Sequence, residues 1–348
     1  MSSVPRYSLL LAPAANRVYA GESAALTASE LALTAAFARE VAPTTIAGVV
    51  HLGFEADGLD EAALAVLATQ SARLALFERV GDDDGSGDDE LLRPIALPEV
   101  DWLDDDLVTI PKYPGKTNEQ FTRLLLNVTL ARVRTEAQGR PLDVLDPLAG
   151  RGTTLFTAWM LGHHGFGVEG DAKSVEQLSA YAKTWLRRKR LKHNADLVPV
   201  RREGKSLGRK FEGELRLPDR PTLTMGVFTG DTRDSAKLWG KKRFDAIVAD
   251  APYGVVHGSS TDVRGVSGKR DRSPAGLLGE AIPVWSRQLR AGGALGLSWN
   301  THGLTREALA EMLEKAGLEV CTGDAWLGFA HRVDSSINRD LMVATKPV

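Results

Sequence analysis

The stretch FDAIVADAPYG (Phe244–Gly254) decides the fold of this chain, because an apolar, β-branched run ends abruptly in an acid, a proline and an aromatic ring. Such a run predicts a buried parallel strand with an exposed polar turn at its carboxyl end. In open α/β sheets, ligands bind at these strand ends. The Asp250 carboxylate can accept hydrogen bonds from an amine, and the Tyr253 ring can stack on a planar substrate. The alternative interpretation is a strand that ends in an ordinary turn.

A second stretch, LDVLDPLAGRGTTL (Leu142–Leu155), predicts another strand, a loop of small residues and the start of a helix. Gly150 and Gly152 let the backbone approach a ligand closely and adopt unusual dihedrals. Thr153 or Thr154 can cap the helix that follows. The loop does not match the dinucleotide fingerprint, and no lysine follows it as in a P-loop. A loop without phosphate-binding residues suits a nucleoside ligand that lacks phosphates, such as S-adenosylmethionine.

These stretches resemble a known family. DPLAGRGT (Asp146–Thr153) is similar to the cofactor loop of amino-methyltransferases, and DAPY (Asp250–Tyr253) resembles their Asp-Pro-Pro-Tyr catalytic motif. The extension to Gly254 resembles the branch that methylates the exocyclic amine of guanosine in RNA. YPGKTNEQF (Tyr113–Phe121), with Asn127 further on, resembles a segment of the family that modifies guanosine at position 10 of tRNA. The resemblance covers roughly residues 111–348 and implies S-adenosyl-L-methionine as cofactor.

Length and composition indicate a globular protein. The 348 residues favour two domains. No apolar run reaches membrane-spanning length, and the N-terminus lacks a signal-peptide pattern. The single cysteine, Cys321, excludes internal disulfides and cysteine-rich zinc sites, and the seven histidines show no metal-ligand spacing, so we expect no metal. A reducing cytoplasm is the simplest location.

The pattern along the chain predicts three segments. Residues 1–80 form a small α/β domain of RNA-binding type, residues 81–110 an acidic linker, and residues 111–348 the methyltransferase domain. In the first segment, strands at Tyr7–Leu11, Ile46–Phe54 and Leu74–Val80 alternate with helices at Ser23–Glu40, capped by Ser23, and Glu61–Thr69. This order is compatible with a ferredoxin-like fold.

In the third segment, strands alternate with helices, which predicts a doubly wound, mostly parallel sheet. Seven strands ending in a hairpin match the Rossmann-like sheet that the motifs imply. The predicted strands are Leu142–Asp146, Gly165–Glu169, Met225–Thr229, Phe244–Asp250, Ala294–Trp299, Glu319–Phe329 and Ile337–Ala344.

The predicted catalytic residues are Asp250, Ala251, Pro252 and Tyr253. An exocyclic amine is a poor nucleophile because its lone pair is delocalised into the base. Two acceptors, the Asp250 carboxylate and the Ala251 carbonyl, would localise that lone pair by binding both amine hydrogens. The family usually has proline at position 251. Alanine keeps the carbonyl but loses the rigidity of the ring.

The resemblance assigns the cofactor to one set of loop and strand-end residues. They are Asp146, Pro147, Ala149, Gly150, Gly152, Thr153, Glu169, Asp171, Asp231, Thr117 and Phe121. Asp146 would face the ammonium group of the methionine, or would only form an Asx turn. Glu169 would bind both ribose hydroxyls, with Asp171 as its competitor. Asp231 would accept from the adenine amine, or would only form a Gly-Asp turn.

The helix that precedes the first strand of this segment would cover the cofactor with Thr117, Asn118 and Phe121. For Phe121, a place in the hydrophobic core is the better explanation.

Basic residues form the predicted RNA interface. They are Arg187, Arg188, Lys189, Arg190, Arg201, Arg202, Lys269 and Arg270. The first six follow a predicted helix, and the last two lie in a polar loop just beyond the catalytic turn. Phosphate contact is the functional interpretation, and a solvated helix end with a surface loop is the alternative. The expected partner is tRNA or another structured RNA. Relatives in the family can also need a small zinc-binding activator protein.

The leading hypothesis is therefore a tRNA (guanine-N2)-methyltransferase. A DNA adenine-N6 methyltransferase would use the same strand-end motif on a flipped base. A non-catalytic RNA-binding protein with a degenerate site is the alternative that the alanine at 251 leaves open. Protein glutamine methylation is a remote alternative, since its enzymes begin the motif with Asn rather than Asp.

Overall fold

The chain divides into two structural units in the computed structural model. One consists of Met1–Asp101 and Thr322–Arg339, and the other of Trp102–Cys321 and Asp340–Val348. The structure describes residues 4–14, 17–81, 91–113, 115–135, 139–202, 204–252 and 274–348. Within these ranges, no helix has both the length and the apolar character needed to cross a bilayer.

The first unit is built on a five-stranded antiparallel sheet. Before residue 101 its elements are β1 (Arg6–Leu11), α1 (Arg17–Thr34), β2 (Arg39–Ile46), β3 (Val49–Glu55), α2 (Glu61–Thr69), β4 (Arg73–Val80) and β5 (Leu91–Ile95). The sheet order is β2-β3-β1-β4-β5, and each described pair is antiparallel. The first six elements follow the β-α-β-β-α-β order of a ferredoxin-like fold, to which β5 adds an edge strand.

Several boundaries in this unit differ from the prediction. Ser23 does not cap α1, because the helix begins at Arg17 and the Ser23 hydroxyl donates to the Ala20 carbonyl inside it. The single strand expected at Ile46–Phe54 is a hairpin, since Ala47 (φ 48°) and Gly48 (φ 78°) form a tight turn. Residues 91–95, expected in the linker, pair with β4. Residues 82–90 of that linker lie outside the described residues.

The second unit carries the larger sheet. Up to Cys321 its elements are α3 (Asp106–Thr109), α4 (Glu119–Leu130), β6 (Asp143–Asp146), α5 (Thr153–Met160), β7 (His164–Glu169), α6 (Ala172–Arg188), β8 (Lys192–Arg202), β9 (Lys205–Arg216), β10 (Leu223–Thr229), a 3₁₀ turn (Thr232–Asp234), α7 (Ser235–Trp239), β11 (Phe244–Asp250), α8 (Pro274–Gln288), β12 (Leu289–Asn300), α9 (Arg306–Lys315) and β13 (Glu319–Val320). The remaining elements of the chain are α10 (Asp324–Leu327), β14 (His331–Arg332) and β15 (Asn338–Thr345).

The order of this sheet is β13-β15-β12-β11-β6-β7-β10-β9-β8. The central strand β6 pairs in parallel with β7 and β11, and these pair in parallel with β10 and β12. β13 is antiparallel to β15. This confirms the doubly wound, mostly parallel sheet. Because the central strands are parallel, their carboxyl ends share one edge, which carries Asp146, Glu169, Thr229 and Asp250.

Two sequence-based expectations for this sheet are wrong. The strand predicted at Glu319–Phe329 stops at Val320, because Gly323 (φ 117°) turns the chain and α10 begins at Asp324. The basic stretch begins at the end of α6 as expected, but its second part, expected as a surface loop, is instead the β8–β9 hairpin, which lengthens the sheet beyond β10. Its alternating pattern is visible in retrospect, since Phe211 and Leu215 are buried and Glu212 is exposed.

The opposite end of the sheet is fixed by one buried carboxylate. Asp245, at the start of β11, is fully buried and accepts two hydrogen bonds of 3.0 Å from the Arg140 guanidinium. Arg290 adds an ion pair at 2.9 Å, and the Asp143 N–H donates at 2.8 Å. Burial alone would raise the pKa of Asp245, but these donors outweigh it and hold the pKa below its usual value.

Candidate active site

Two carboxylates lie at the ends of adjacent parallel strands. β6 and β11 pair through Val144 with Ala246 and Leu145 with Ile247, so Asp146 and Asp250 follow at the same edge. Asp146 is almost fully buried. Burial raises its pKa to about 7, the charges of Asp250 and Glu169 add to the rise, and hydrogen bonds from the Leu148 N–H and Thr154 oppose it. The Leu148 bond forms an Asx turn at 3.0 Å, which matches the structural alternative considered for Asp146.

The loop after β6 has the glycine geometry that the sequence predicted. Gly150 (φ 51°) and Gly152 (φ 87°) both adopt the left-handed conformation. A Cβ built on Gly152 would lie 2.5 Å from a methyl of Leu178, whereas one on Gly150 would meet no atom within 4 Å. Gly152 therefore packs against α6, and Gly150 faces open space where a ligand can approach the backbone.

Neither predicted threonine caps α5. The N-cap is Gly152, and it has no side-chain cap. Thr153 instead shares a 3.1 Å hydrogen bond with the Tyr113 hydroxyl, and the Arg151 guanidinium lies 4.3 Å from the centre of the Tyr113 ring. These three side chains line a pocket of about 180 Å³ beside the loop. Pro147 and Ala149 lie in the same loop, and Ala149 is buried.

Glu169 joins the loop to the end of β7. Its carboxylate accepts from the Gly150 N–H and the Asp171 N–H, each at 2.7 Å. Burial raises the pKa of Glu169, and the backbone donors partly oppose the rise. Each carboxylate oxygen can accept more than one hydrogen bond, so these contacts are compatible with hydroxyl ligands.

The carboxylate of Asp171 caps α6. It accepts from the backbone N–H groups of Lys173 (3.1 Å) and Ser174 (3.2 Å). A carboxylate at this position satisfies two of the first N–H groups of the helix. The structure therefore gives Asp171 a capping role, and Glu169 is better placed to contact a ligand.

Asp231 has local partners as well. It caps the 3₁₀ turn by accepting from the Arg233 N–H at 2.8 Å, and it pairs with the Arg233 guanidinium at 2.6 Å. The hydrogen bond from this guanidinium lowers the pKa of Asp231. Arg233 also pairs with Glu280 at 2.9 Å. The Gly-Asp turn considered from the sequence is present here.

The carboxylate of Asp250 is held by two hydroxyls from different parts of the chain. The Thr117 hydroxyl donates to Oδ2, and the Ser298 hydroxyl donates to Oδ1. Thr117, expected to cover the cofactor, is thus joined to the predicted catalytic acid. Ser298 was missed by sequence reasoning. The available signal was its place near the carboxyl end of β12, the strand next to β11.

A backbone hydrogen bond holds the residue that follows Asp250. The Ala251 N–H donates to the Ser298 carbonyl at 2.8 Å, and the Ala251 side chain is buried. Pro252 is exposed. Tyr253 lies outside the described residues, as do Lys269 and Arg270.

Helix α4 places Thr117 above the end of β11. Asn118 caps this helix by accepting a hydrogen bond from the Phe121 N–H at 3.1 Å. The Phe121 side chain is fully buried, which agrees with the core position that the sequence favoured for it. The helix lies against β12 at Gly296, where a Cβ would come within 1.9 Å of the Thr129 hydroxyl. Only glycine permits this approach, so Gly296 sets the height of α4 over the sheet.

The predicted RNA-binding residues differ in their surroundings. Arg187, Arg188, Arg190 and Arg201 are exposed, and Arg202 ends β8. Lys189 instead forms ion pairs of 2.7 Å with both Asp104 and Asp106, which raise its pKa. In the described part of the chain, no group of three His, Cys, Asp or Glu residues could hold a metal ion.

The fold and this edge define a mixed α/β protein with a Rossmann-like sheet. No protein-family model matches the chain, and no curated protein matches it. Solved structures that are similar include TrmN from Thermus thermophilus, with 14% identity, 98% of this chain and 99% of that chain covered, and a TM-score of 0.43. Magnesium protoporphyrin IX methyltransferase from Synechocystis PCC 6803, solved with bound SAM, has 13% identity, coverage of 67% and 86%, and a TM-score of 0.38. A methyltransferase from Pyrococcus furiosus has 13% identity, coverage of 68% and 88%, and a TM-score of 0.39. At these identities and TM-scores, the similarities assign no activity to this chain.

Proposed function

We propose that this protein is an S-adenosylmethionine-dependent methyltransferase that acts on the exocyclic N2 amine of guanine in tRNA. The observation that carries the proposal is the pair Asp146 and Asp250 at the ends of adjacent parallel strands. Asp146 immediately precedes the glycine loop, and Asp250 is the first residue of the Asp-Ala-Pro-Tyr motif. A donor and a planar amine can meet at such an edge.

The residues of the loop fit the cofactor. The open side of Gly150 admits a ligand to the backbone. Ionised Asp146 can pair with an ammonium group, and Glu169 can accept from ribose hydroxyls in addition to its backbone donors. When bound, S-adenosylmethionine supplies an electrophilic methyl group on its sulfonium.

The acceptor side needs two hydrogen-bond acceptors and a stacking ring. The Asp250 carboxylate and the Ala251 carbonyl would each bind one amine hydrogen, which concentrates the lone pair on the nitrogen. Pro252 and Tyr253 complete the motif, in which the tyrosine ring would stack on the base. Positioning and electrostatics then supply most of the rate, and no covalent intermediate is needed. The alkylated nitrogen is acidic and loses its proton without a strong base.

The RNA substrate is supported by the exposed cations. Arg187 and Arg188 end α6, Arg190 follows it, and Arg201 lies near the last residue of β8; each is exposed. Such residues contact phosphates without reading sequence. We propose that the first unit binds tRNA by contacting its phosphates and recognising its shape rather than its sequence.

The experiment offers the purified protein deuterated-methyl S-adenosylmethionine and either tRNA that lacks base methylation or duplex DNA. Nucleosides are then identified by mass spectrometry. Labelled N2-methylguanosine is expected in tRNA with the wild-type protein and nearly absent with D250A, which removes both acceptor oxygens of the side chain. D196N, at an exposed residue on β8, is the control and should be as active as wild type.

Each alternative has its own outcome. Labelled N6-methyladenine in DNA would replace the proposal by the DNA enzyme. Tight tRNA binding without transfer, also in the presence of a co-expressed small zinc-binding activator protein, would support the non-catalytic protein.

A further inference from the structure

Three segments distant in sequence converge on one carboxylate. Asp250 ends β11, Thr117 precedes α4, and Ser298 lies in β12. Thr117 and Ser298 each donate a hydroxyl hydrogen, and they do so to different oxygens of the carboxylate. Ser298 is fully buried and Thr117 is partly buried, so water competes weakly for these contacts.

Two donors on opposite oxygens remove the freedom that a carboxylate otherwise has. The terminal torsion of an aspartate is broad and roughly two-fold, so an unsupported carboxylate would sample many planes. With one donor fixed on a strand and the other fixed at the start of a helix, a single plane satisfies both. Orientation achieved before the substrate binds is the kind of preorganisation that lowers a reaction barrier.

Ser298 also fixes the backbone next to that carboxylate. Its carbonyl accepts from the Ala251 N–H at 2.8 Å, which holds the Asp250–Ala251 peptide against β12. The carbonyl of Ala251, which is the second proposed acceptor, belongs to the same residue as this N–H. A proline at 251 would lack this N–H. In this chain, the hydrogen bond to the Ser298 carbonyl therefore fixes the peptide that precedes the second acceptor.

We propose that Thr117 and Ser298 are positioning residues that set the plane of the Asp250 carboxylate and the start of its turn. The inference rests on the proposed function, because it names what orients the acceptor of that reaction. Both residues act through Asp250, and neither needs to touch the substrate.

The kinetic test compares T117V with T117S. Valine has the shape of threonine without the hydroxyl, whereas serine keeps the hydroxyl and loses only a methyl. T117V is expected to lower kcat by about 10- to 100-fold, the loss that a small misplacement of a reacting group produces, with little change in KM for S-adenosylmethionine. T117S should recover most of kcat. T184V, which removes an exposed hydroxyl on α6, is the control. A T117V enzyme with wild-type kcat would overturn the proposal.

A second readout does not depend on turnover. Crystal structures of wild type and of the T117V/S298A double variant should show the Asp250 carboxylate rotated in the variant. An unchanged plane would overturn the proposal even if the variant were inactive. Absence of methyl transfer by the wild-type protein would instead remove the proposed function, so the two failures are distinguishable.

Discussion

The N–H of Ala251 donates a 2.8 Å hydrogen bond to the carbonyl of Ser298, across the two strands that end beside the candidate acceptor site. This bond belongs to the last pair of the parallel β11–β12 ladder, Asp250 with Ser298. Ala251 therefore takes part, through its N–H, in the strand pairing of this chain.

Introducing the proline that is usual in the motif this segment resembles should consequently be harmful. A251P removes the N–H and leaves the Ser298 carbonyl without that donor, which costs about 1–3 kcal/mol when the group is buried. We expect A251P to unfold at lower urea concentration and to turn over more slowly than wild type. Urea denaturation and initial rates measure both effects. A251P with equal stability and equal or higher kcat would show that the hydrogen bond is dispensable.

Binding of S-adenosylmethionine should depend on pH through Asp146. With a pKa of about 7, this carboxyl is mostly neutral at pH 6 and half ionised at pH 7, and only the ionised form can pair with an ammonium group. The apparent affinity scales with the competent fraction, so the Kd should be about fivefold lower at pH 7 than at pH 6. Isothermal titration calorimetry at the two pH values is the measurement.

The variant D146N provides the control for this pH dependence. It should bind weakly and equally at both pH values. Since the folded-state pKa lies above the unfolded one, ionisation of Asp146 destabilises the protein as pH rises from about 4 to 7. The free energy of unfolding of D146N, measured relative to that of the wild type, should therefore be higher at pH 8 than at pH 5. An affinity that is the same at pH 6 and pH 7 in the wild type would contradict the assigned role.

Asp245 should be among the most costly positions to change. D245A leaves the Arg140 and Arg290 guanidinium groups, which are 43% and 34% exposed, without the buried carboxylate that both contact, a loss of about 1.5–3 kcal/mol. Because the pKa of Asp245 is held below that of the unfolded chain, its contribution is present above about pH 4 and is lost as pH falls further. Urea unfolding at pH 7 tests the magnitude. A cost below about 1 kcal/mol would mean that the network is only peripheral to stability.

Gly296 should control the site from a distance. G296A would place a methyl against the Thr129 hydroxyl and push α4 away from β12, at a cost of about 1–3 kcal/mol for overpacking. Because α4 follows Thr117, we expect kcat to fall as well. G279A is the matched control, since Gly279 lies in α8 with no atom near its Cβ position, and there alanine should be neutral or stabilising. Equal behaviour of the two variants in thermal unfolding and turnover would contradict this account.

The basic residues at the end of α6 should contribute unequally to RNA binding. R187A/R188A should weaken tRNA binding and reduce the slope of log Kd against log salt by roughly two, because two phosphate contacts are lost. K189A should change the slope little, since Asp104 and Asp106 already neutralise that charge. Filter binding at several salt concentrations separates these results. A larger effect of K189A than of R187A/R188A would show that the interface lies elsewhere.

Local patterns predicted the sheet well because parallel strands leave strong signals. The apolar run at Phe244–Asp250 and the glycine loop after Asp146 required only short-range sequence, and the bounds of β11 agree with those predicted. The β8–β9 hairpin was missed because its exposed face carries so many charges that composition masked the alternation. The break at Gly323 was missed because a single glycine with a positive φ interrupts an otherwise strand-like segment.

The site was predicted less completely, for a physical reason. Asp250 could be identified from its own motif, but its partners Thr117 and Ser298 come from segments more than 40 residues away on either side. No local pattern encodes such a meeting. Asp171 shows the converse, because a carboxylate near the end of a strand has the same sequence signature whether it binds a ligand or caps the next helix.

The central claim is that the edge formed by β6 and β11 brings a methyl donor to the acceptor at Asp250. A crystal structure with S-adenosylhomocysteine tests it most directly. We expect the homocysteine moiety along the Gly150 loop, with its amino group toward Asp146 and its sulfur facing the Asp250 carboxylate. A ligand bound at another edge of the sheet, or with its sulfur turned away from Asp250, would contradict the account.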